Sequence, residues 1–442
     1  MNIQLSEHFN YKKLLRFTLP SIIMMIFTSI YGVVDGFFVS NFVGKTSFAA
    51  VNFIMPFLMI LGCIGFMFGT GGGALIAKTM GEGKQEKANQ LFSLFIYVSL
   101  ACSIVIMILG IAFVRPVASI LGAEDSMLDN CVLYGRVILI ALPAYILQYE
   151  FQSFFITAQK PQLGLIVTVA AGVANMIGDA LFVAILQWGL VGAAAATALS
   201  QIIGGVIPFI YFSRKNTSLL HLTKTKYDGK ALLKACTNGS SELMSNISMS
   251  IVSMLYNVQL MKYAGEDGVS AYGVLMYVNL IFLAAFIGYS VGSAPIISYH
   301  YGAENHKELK SLLRKSLVVI GIFSIAMLLF AEVMAKPLAM IFVGYDQELL
   351  KLTLRGFSIF SFSFLFAGIA IFGSSFFTAL NNGLISAMIS FLRTLVFQIA
   401  AVLIFPLFLE IDGIWISIVA AEIMAALVTT LFLIGKRSSY HY

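Results

Sequence analysis

The chain has 442 residues, of which 59% are hydrophobic and only 11% charged, with a formal net charge of +6. Its mean hydropathy is +0.92. Ordinary soluble domains carry roughly 25% charged residues, so this composition excludes a soluble globular protein and, still more, a disordered chain.

In chain order, the first seventeen residues include Glu7, His8, Lys12, Lys13 and Arg16. They lack an apolar stretch and a small-residue cleavage site, so no removable signal peptide is expected. A membrane-spanning helix needs about 20 mostly apolar residues. Twelve segments qualify, at about 14–40, 48–77, 91–114, 132–156, 163–187, 189–212, 231–262, 269–297, 316–335, 352–379, 384–408 and 413–435. The Gly and Pro within several of them are tolerated in membranes because neighbouring helices satisfy the freed backbone groups. The short alternating segments of a β-barrel are absent. The expected fold is all-α and integral to a membrane, with twelve transmembrane helices.

The second half repeats the first at an offset of 221 residues. Gly44 falls on Gly265, Gly71 on Gly292, Ile76 on Ile297 and Gly81 on Gly302. Pro116 falls on Pro337, Gly135 on Gly356, Gly192 on Gly413, and Ser153, Phe155, Thr157 and Ala158 on Ser374, Phe376, Thr378 and Ala379. Six helices per repeat is an even number, so both halves enter the membrane from the same side. That predicts two six-helix lobes related by a pseudo-two-fold along the membrane normal, with a substrate path between them, as in duplicated transporters. The expected boundaries are 1–212 for the amino lobe, 213–230 for a polar linker and 231–442 for the carboxyl lobe.

Basic residues set the expected orientation. With the amino terminus cytoplasmic, 19 Lys and Arg fall on the cytoplasmic side, including six from Arg214 to Lys234, against seven outside. The positive-inside rule then places both termini and the linker in the cytoplasm. The net positive charge follows from that rule, so no nucleic-acid partner is implied. A monomeric, multi-pass protein of the plasma membrane is the expected setting.

Several chemistries are excluded or unsupported. Cys63, Cys102, Cys131 and Cys236 have neither CxxC nor metal-ligand spacing, and read as small packing residues. No phosphate-binding G-x-x-x-x-G-K-[ST] motif is present. The run Gly69-Thr70-Gly71-Gly72-Gly73 lies inside an apolar segment and reads as close helix packing. No metalloprotease motif or nucleophile triad is found, so no enzyme and no cofactor are expected, and energy for uphill transport must come from an ion.

Ionisable groups inside the segments are therefore functional candidates, because each costs about 3 kcal/mol at mid-bilayer. They are Asp35, Glu150, Asp179, Glu242, Arg393 and Glu422. Asn175 and Asp179 are four apart, on one helix face about 6 Å apart. By depth, Asp35, Asn175, Asp179, Thr197 and Tyr134 share the outer part of the amino lobe. Such an oxygen set suits a proton or a small hard cation such as Na⁺. Glu150, near the cytoplasmic end of its helix, is expected to reach the interface.

These residues resemble those of the multidrug and toxic compound extrusion (MATE) transporters, and the likeness extends over nearly the whole chain. Leu19-Pro20 followed by Tyr31-Gly32-Val33-Val34-Asp35-Gly36-Phe37-Phe38-Val39-Ser40 is similar to the family's first helix, and Asn175-x-x-x-Asp179 with Thr197 to its fifth and sixth. The Gly413-Ile414-Trp415 opening of the last helix resembles the bacterial multidrug branch. The resemblance implies an antiporter that exports organic cations and amphiphilic drugs in exchange for H⁺ or Na⁺. It also implies an amino-lobe cation site of Asp35, Tyr134, Gln152, Asn175, Asp179 and Thr197. Three departures stand out. Gln152 occupies the position of the family's asparagine, Ile156-Thr157-Ala158-Gln159-Lys160 lacks the Arg-x-x-Gly turn of many relatives, and the tenth helix, Leu352 to Ala379, has no acid.

The carboxyl lobe does not copy the first lobe's chemistry. At the 221 offset Asp35 falls on Tyr256, Asn175 on Val396, Asp179 on Ala400 and Gln201 on Glu422. Substrate contact is expected from Glu242, Glu422, Arg393 and Tyr31, with Arg393 paired to Glu422 or Glu242. Methionine and aromatic side chains suit bulky cations. The alternative is a flippase or exporter of a lipid-linked or anionic metabolite on a related duplicated fold, which needs a basic cavity. Arg393 is the one basic residue available for it.

Overall fold

The computed structural model describes residues 3–442, and no strand occurs among them. Its spans are α1 (Tyr11–Val43), α2 (Thr46–Gly81), α3 (Gln85–Ile120), the bent α4 (Asp125–Ile140 with Leu142–Thr157), α5 (Pro161–Ile185) and α6 (Gly189–Ser213). After a non-helical stretch comes the 74-residue run Gly229–Gly302, broken at Gly265 with φ 63° and ψ −151°. It comprises two spans, α7 (229–264) and α8 (266–302). Then follow α9 (His306–Val343), α10 (Gln347–Ala379), α11 (Gly383–Ile404) and α12 (Pro406–Gly435). Counted this way the described residues make twelve spans. The 57° bend within α4 falls where Pro143 enters the second half-helix, since proline lacks the N–H and crowds the preceding turn.

Backbone geometry repeats with the sequence. Gly44 and Gly265 both have positive φ, at the turns into α2 and α8. So do Gly83 and Glu304, and Gly189 and Glu410, each pair 221 apart. Glycine suits the left-handed region, where a Cβ is strained, yet the second repeat uses glutamate at two of its three positions.

Core packing divides the molecule by depth. One buried cluster draws on both halves, from Leu14, Phe17, Ile76 and Phe154 to Phe286, Ile297, Phe376 and Leu433. Two more clusters lie far from the termini, one within residues 39–194 and one within 252–418. The halves therefore share a core at the terminus side and keep separate cores at the far side. In α1, Leu14 to Met24 includes seven buried residues, whereas Met25 to Phe38 includes none. A cleft open toward the far side separates the lobes.

The terminus-side seam is made of glycines. A Cβ at Gly71 would lie 2.1 Å from the Ala235 carbonyl oxygen, and one at Gly239 would lie 2.0 Å from that of Met67. A Cβ at Gly288 would meet the Ile22 Cα at 2.5 Å. Backbones this close leave no room for side chains, the usual basis of tight helix contact in membranes.

The segment before α1 also crosses the seam. Leu5 and Phe9 are fully buried. His8 Nδ1 lies 2.6 Å from Glu308 Oε2 of α9, and the Phe9 N–H donates to Glu308 Oε1 at 2.9 Å. Reciprocally, the segment before α7 packs on α3, where the Thr223 N–H donates to Ser93 Oγ at 2.8 Å.

Candidate cation and substrate site

Asp35 lies in the last third of α1, and Asn175 and Asp179 lie on α5, where Asp179 opens a wider helical turn over Asp179–Ile185. π-type turns of this kind recur at functional sites because they displace side chains from regular spacing. α6 supplies Thr197 and α4 supplies Tyr134. Asn175 Nδ2 donates to Thr197 Oγ1 at 3.4 Å, and Thr197 Oγ1 donates to Asp35 Oδ1 at 3.4 Å. The Asp35 carboxyl also neighbours that of Asp179, and the Tyr134 ring lies beside Thr197, Asp35 and Asp179. Side chains from four helices thus converge.

The oxygen inventory is unbalanced. Asp179 and Tyr134 are fully buried and Asn175 is 2% exposed. Among the described residues, both Asp179 carboxyl oxygens, Asn175 Oδ1 and the Tyr134 hydroxyl have no hydrogen-bond partner. Buried polar atoms are ordinarily bonded, and an isolated buried carboxylate is far too costly to remain charged and bare. These oxygens fit a proton or a desolvated hard cation, which is oxygen-liganded. Among the described residues no group of three or more His, Cys, Asp or Glu is placed to hold a metal ion, so the amide, hydroxyl and phenol must complete any such shell.

Gln152 is placed elsewhere. Its Nε2 donates to Thr168 Oγ1 at 3.4 Å, and Thr168 precedes Asn175 by two turns of α5, about 10 Å along the axis. The α4 bend separates Tyr134 from Gln152, a change of direction that residue spacing does not reveal. Tyr31 packs against Phe27 with ring centroids 5.9 Å apart, and the two abut Gly172 of α5.

In the carboxyl lobe Arg393 and Glu422 are joined by two hydrogen bonds, Nε to Oε2 and an amino nitrogen to Oε1, each 2.9 Å. Their side chains are 15% and 7% exposed. Each charge is satisfied by the other, which leaves neither free for a ligand while the pair is intact. Arg393 lies in another widened turn, Leu392–Val396. Tyr256, which occupies the Asp35 register, donates to Gln398 Oε1 at 2.7 Å. Glu242, by contrast, is half-buried on α7, close to Cys63 of α2 across the cleft, and no cation pairs with it among the described residues.

Glu150 corrects an expectation. It is fully buried rather than at the interface, with Ser99 Oγ of α3 donating to its Oε2 at 2.5 Å and its Oε1 unpartnered. The second half of α4 packs inward against α2 and α3, a rotation that sequence depth alone cannot supply. The glycine run of α2 confirms its packing role. Gly69 faces Glu150 and Ser153, Gly71 faces α7, Gly72 faces Phe95 and Gly73 faces Thr157.

Comparison with known proteins agrees with this architecture. The family model MatE matches the chain twice, over residues 20–181 and 243–404. The multidrug export protein MepA of Staphylococcus haemolyticus is 26% identical over 365 residues, covering 81% of this chain and 80% of that protein. MepA of Staphylococcus aureus strain MRSA252 is 22% identical over 422 residues, covering 95% and 93%. Among solved structures, the outward-facing conformation of a multidrug resistance MATE family transporter of the MOP superfamily superposes with a TM-score of 0.94 at 22% identity, covering 100% of this chain and 98% of that one.

Proposed function

The chain belongs to the MatE family, and we propose that it exports drugs across a plasma membrane in exchange for H⁺ or Na⁺. The observation that carries the antiport is the cluster around Asp179, whose two buried carboxyl oxygens lack partners beside Asp35, Asn175, Thr197 and Tyr134. A cation or proton arriving there removes an electrostatic penalty that is present when the site is dry and empty.

Coupling requires that the ion's binding free energy differ between the inward- and outward-open states. α1 provides the connection. Its Asp35 end belongs to the cation cluster, while Thr18 and Ser21, at its other end, pack against Gly292 of α8 in the seam. Pro20 lies within the seam end, between Thr18 and Ser21, where the helix lacks one backbone hydrogen bond and bends at low cost. Ion occupancy at Asp35 therefore acts on the helix that holds the lobes together. With the termini cytoplasmic, the far-side cleft is the outward opening.

Glu242 is the acid best placed to meet a cationic drug, because it is half-buried, unpaired and beside the cleft. Tyr31 supplies an aromatic face on the same side of α1 as Phe27. Arg393 and Glu422 contribute to substrate contact only through their neutral, paired form. The pairing also weighs against the flippase of an anionic metabolite, since Arg393, the basic side chain available for such a ligand, is already neutralised. The site works with one chain, so a monomer suffices.

The test is drug accumulation in an efflux-deficient host expressing the protein. Expression should lower accumulation of cationic dyes, and an ionophore that collapses the ion gradient should restore it. Unchanged accumulation with verified membrane insertion would sink the proposal.

A further inference from the structure

We propose that Glu150 is a second proton-binding site, addressed from the terminus side and tied to closure of the lobe seam. It lies outside the Asp35–Asp179 cluster, and it rests on the reading that the lobes open alternately.

Three observations place it. The carboxyl is fully buried and, among the described residues, is held by the single hydrogen bond from Ser99 Oγ, with its Oε1 unpartnered. Among the described residues no charged group pairs with it from the elements packed against it. α3 presents Ser99 and α2 presents Gly69. Tyr149, its titratable neighbour on α4, turns instead to Phe66 and Tyr145, at 4.0 and 4.9 Å between ring centroids. A carboxylate so enclosed has no counter-charge, so the closed structure favours its neutral form.

The third observation is mechanical. Glu150 lies behind the widened turn Phe68–Gly72 of α2. Gly69 of that turn packs on the Glu150 backbone, with a Cβ there only 3.2 Å from the Glu150 Cα. Two residues on, Gly71 abuts Ala235 and Gly239 of α7. The turn is therefore a single layer between the acid and the seam. When the lobes part on the terminus side, α7 leaves this layer and water reaches it. Hydration favours the carboxylate, and the proton departs to the terminus-side solution. By linkage, protonation then favours the closed seam. The bonds balance simply, since one O–H of Glu150 breaks and the proton passes to water.

The test uses the full chain in lipid nanodiscs, with native cysteines replaced and spin labels at Lys87→Cys and Lys307→Cys, exposed positions on either lobe at the terminus side. Double electron–electron resonance gives the closed and open populations as a function of pH. In the parent, acidification should raise the closed-to-open ratio by up to about tenfold per pH unit, the limit for one proton. Glu150→Gln, a neutral isostere, should stay closed-biased at high pH and lose this step. Asp35→Asn with Asp179→Asn removes the other titrating cluster and shifts the overall ratio, but it should retain a pH-dependent step that adding Glu150→Gln abolishes. If Glu150→Gln moves between both distances with the parent's pH profile, the proposal fails alone. If the parent shows a single distance at every pH, alternate opening fails and this inference with it.

Discussion

Gly81 and Gly302 fit against each other's helices across the lobe seam. A Cβ at Gly81 would lie 2.0 Å from the carbonyl oxygen of Tyr299, and a Cβ at Gly302 would lie 2.0 Å from that of Lys78. Residues 81 and 302 are 221 apart, and so are 78 and 299, so the contact maps onto itself under the internal repeat. The same holds for Gly71 against Gly239 and Gly292 against Thr18. The pseudo-two-fold passes through a seam built from the duplicated glycines, which is how an isologous contact arises within one chain.

The seam should not tolerate a larger residue at Gly81. Gly81→Val drives two methyls and a Cβ into a backbone carbonyl, and overpacking of this kind costs about 1–3 kcal/mol. The cost falls on the closed-seam state alone. Drug export should drop severely while membrane insertion persists, and the Lys87–Lys307 spin-label distance should shift toward the open population. Normal export by this variant would mean that the seam yields elsewhere.

Asp35→Asn and Asp179→Asn should each abolish export against a gradient while the purified protein still binds drug, as read by fluorescence polarisation. Thr197→Val removes the hydroxyl that bridges Asn175 and Asp35 and should weaken coupling only by about fivefold, the worth of one hydrogen bond near 1 kcal/mol. Uphill export at the parent rate by either asparagine variant would move the coupling site away from this cluster.

Glu242→Gln keeps shape and removes charge. Export of cationic drugs should fall more than that of neutral ones, because only the former lose a charge partner. An equal loss for both classes would assign Glu242 to packing or coupling.

The Arg393–Glu422 pair should show strong non-additivity in thermal unfolding. Arg393→Met strands a buried acid, and breaking one side of such a pair costs about 3–5 kcal/mol. Arg393→Met with Glu422→Gln should recover most of that loss. A double variant as unstable as the single one would mean that the guanidinium matters through packing instead.

Orientation remains open to a direct measurement. Single cysteines placed between Ser213 and Lys230 should resist a membrane-impermeant thiol reagent applied to intact cells, as the distribution of basic residues requires. Labelling from outside would invert the direction assigned to the cleft.

Much of the fold and part of the site can be read along the chain. Span length is local, since each helix must bury its own backbone bonds over a fixed hydrocarbon thickness. The 221-residue repeat needs only the sequence compared with itself. Asp35, Asn175, Asp179 and Thr197 are recognisable because polar groups are rare and costly inside apolar segments.

Which acids are neutralised, and by what, was settled only in three dimensions. Glu422 meets Arg393 from 29 residues away, Glu150 meets Ser99 from 51 and Thr197 meets Asp35 from 162. Each pairing depends on how a helix is rotated about its axis, and a span that is apolar on all sides carries little periodic signal to fix that rotation. The sequence determined the spans, the duplication and the costly residues, because those follow from transfer into lipid one segment at a time. The tertiary structure decided that Glu422 is paired while Asp179 and Glu150 are not, because neutralisation depends on neighbours brought together by packing.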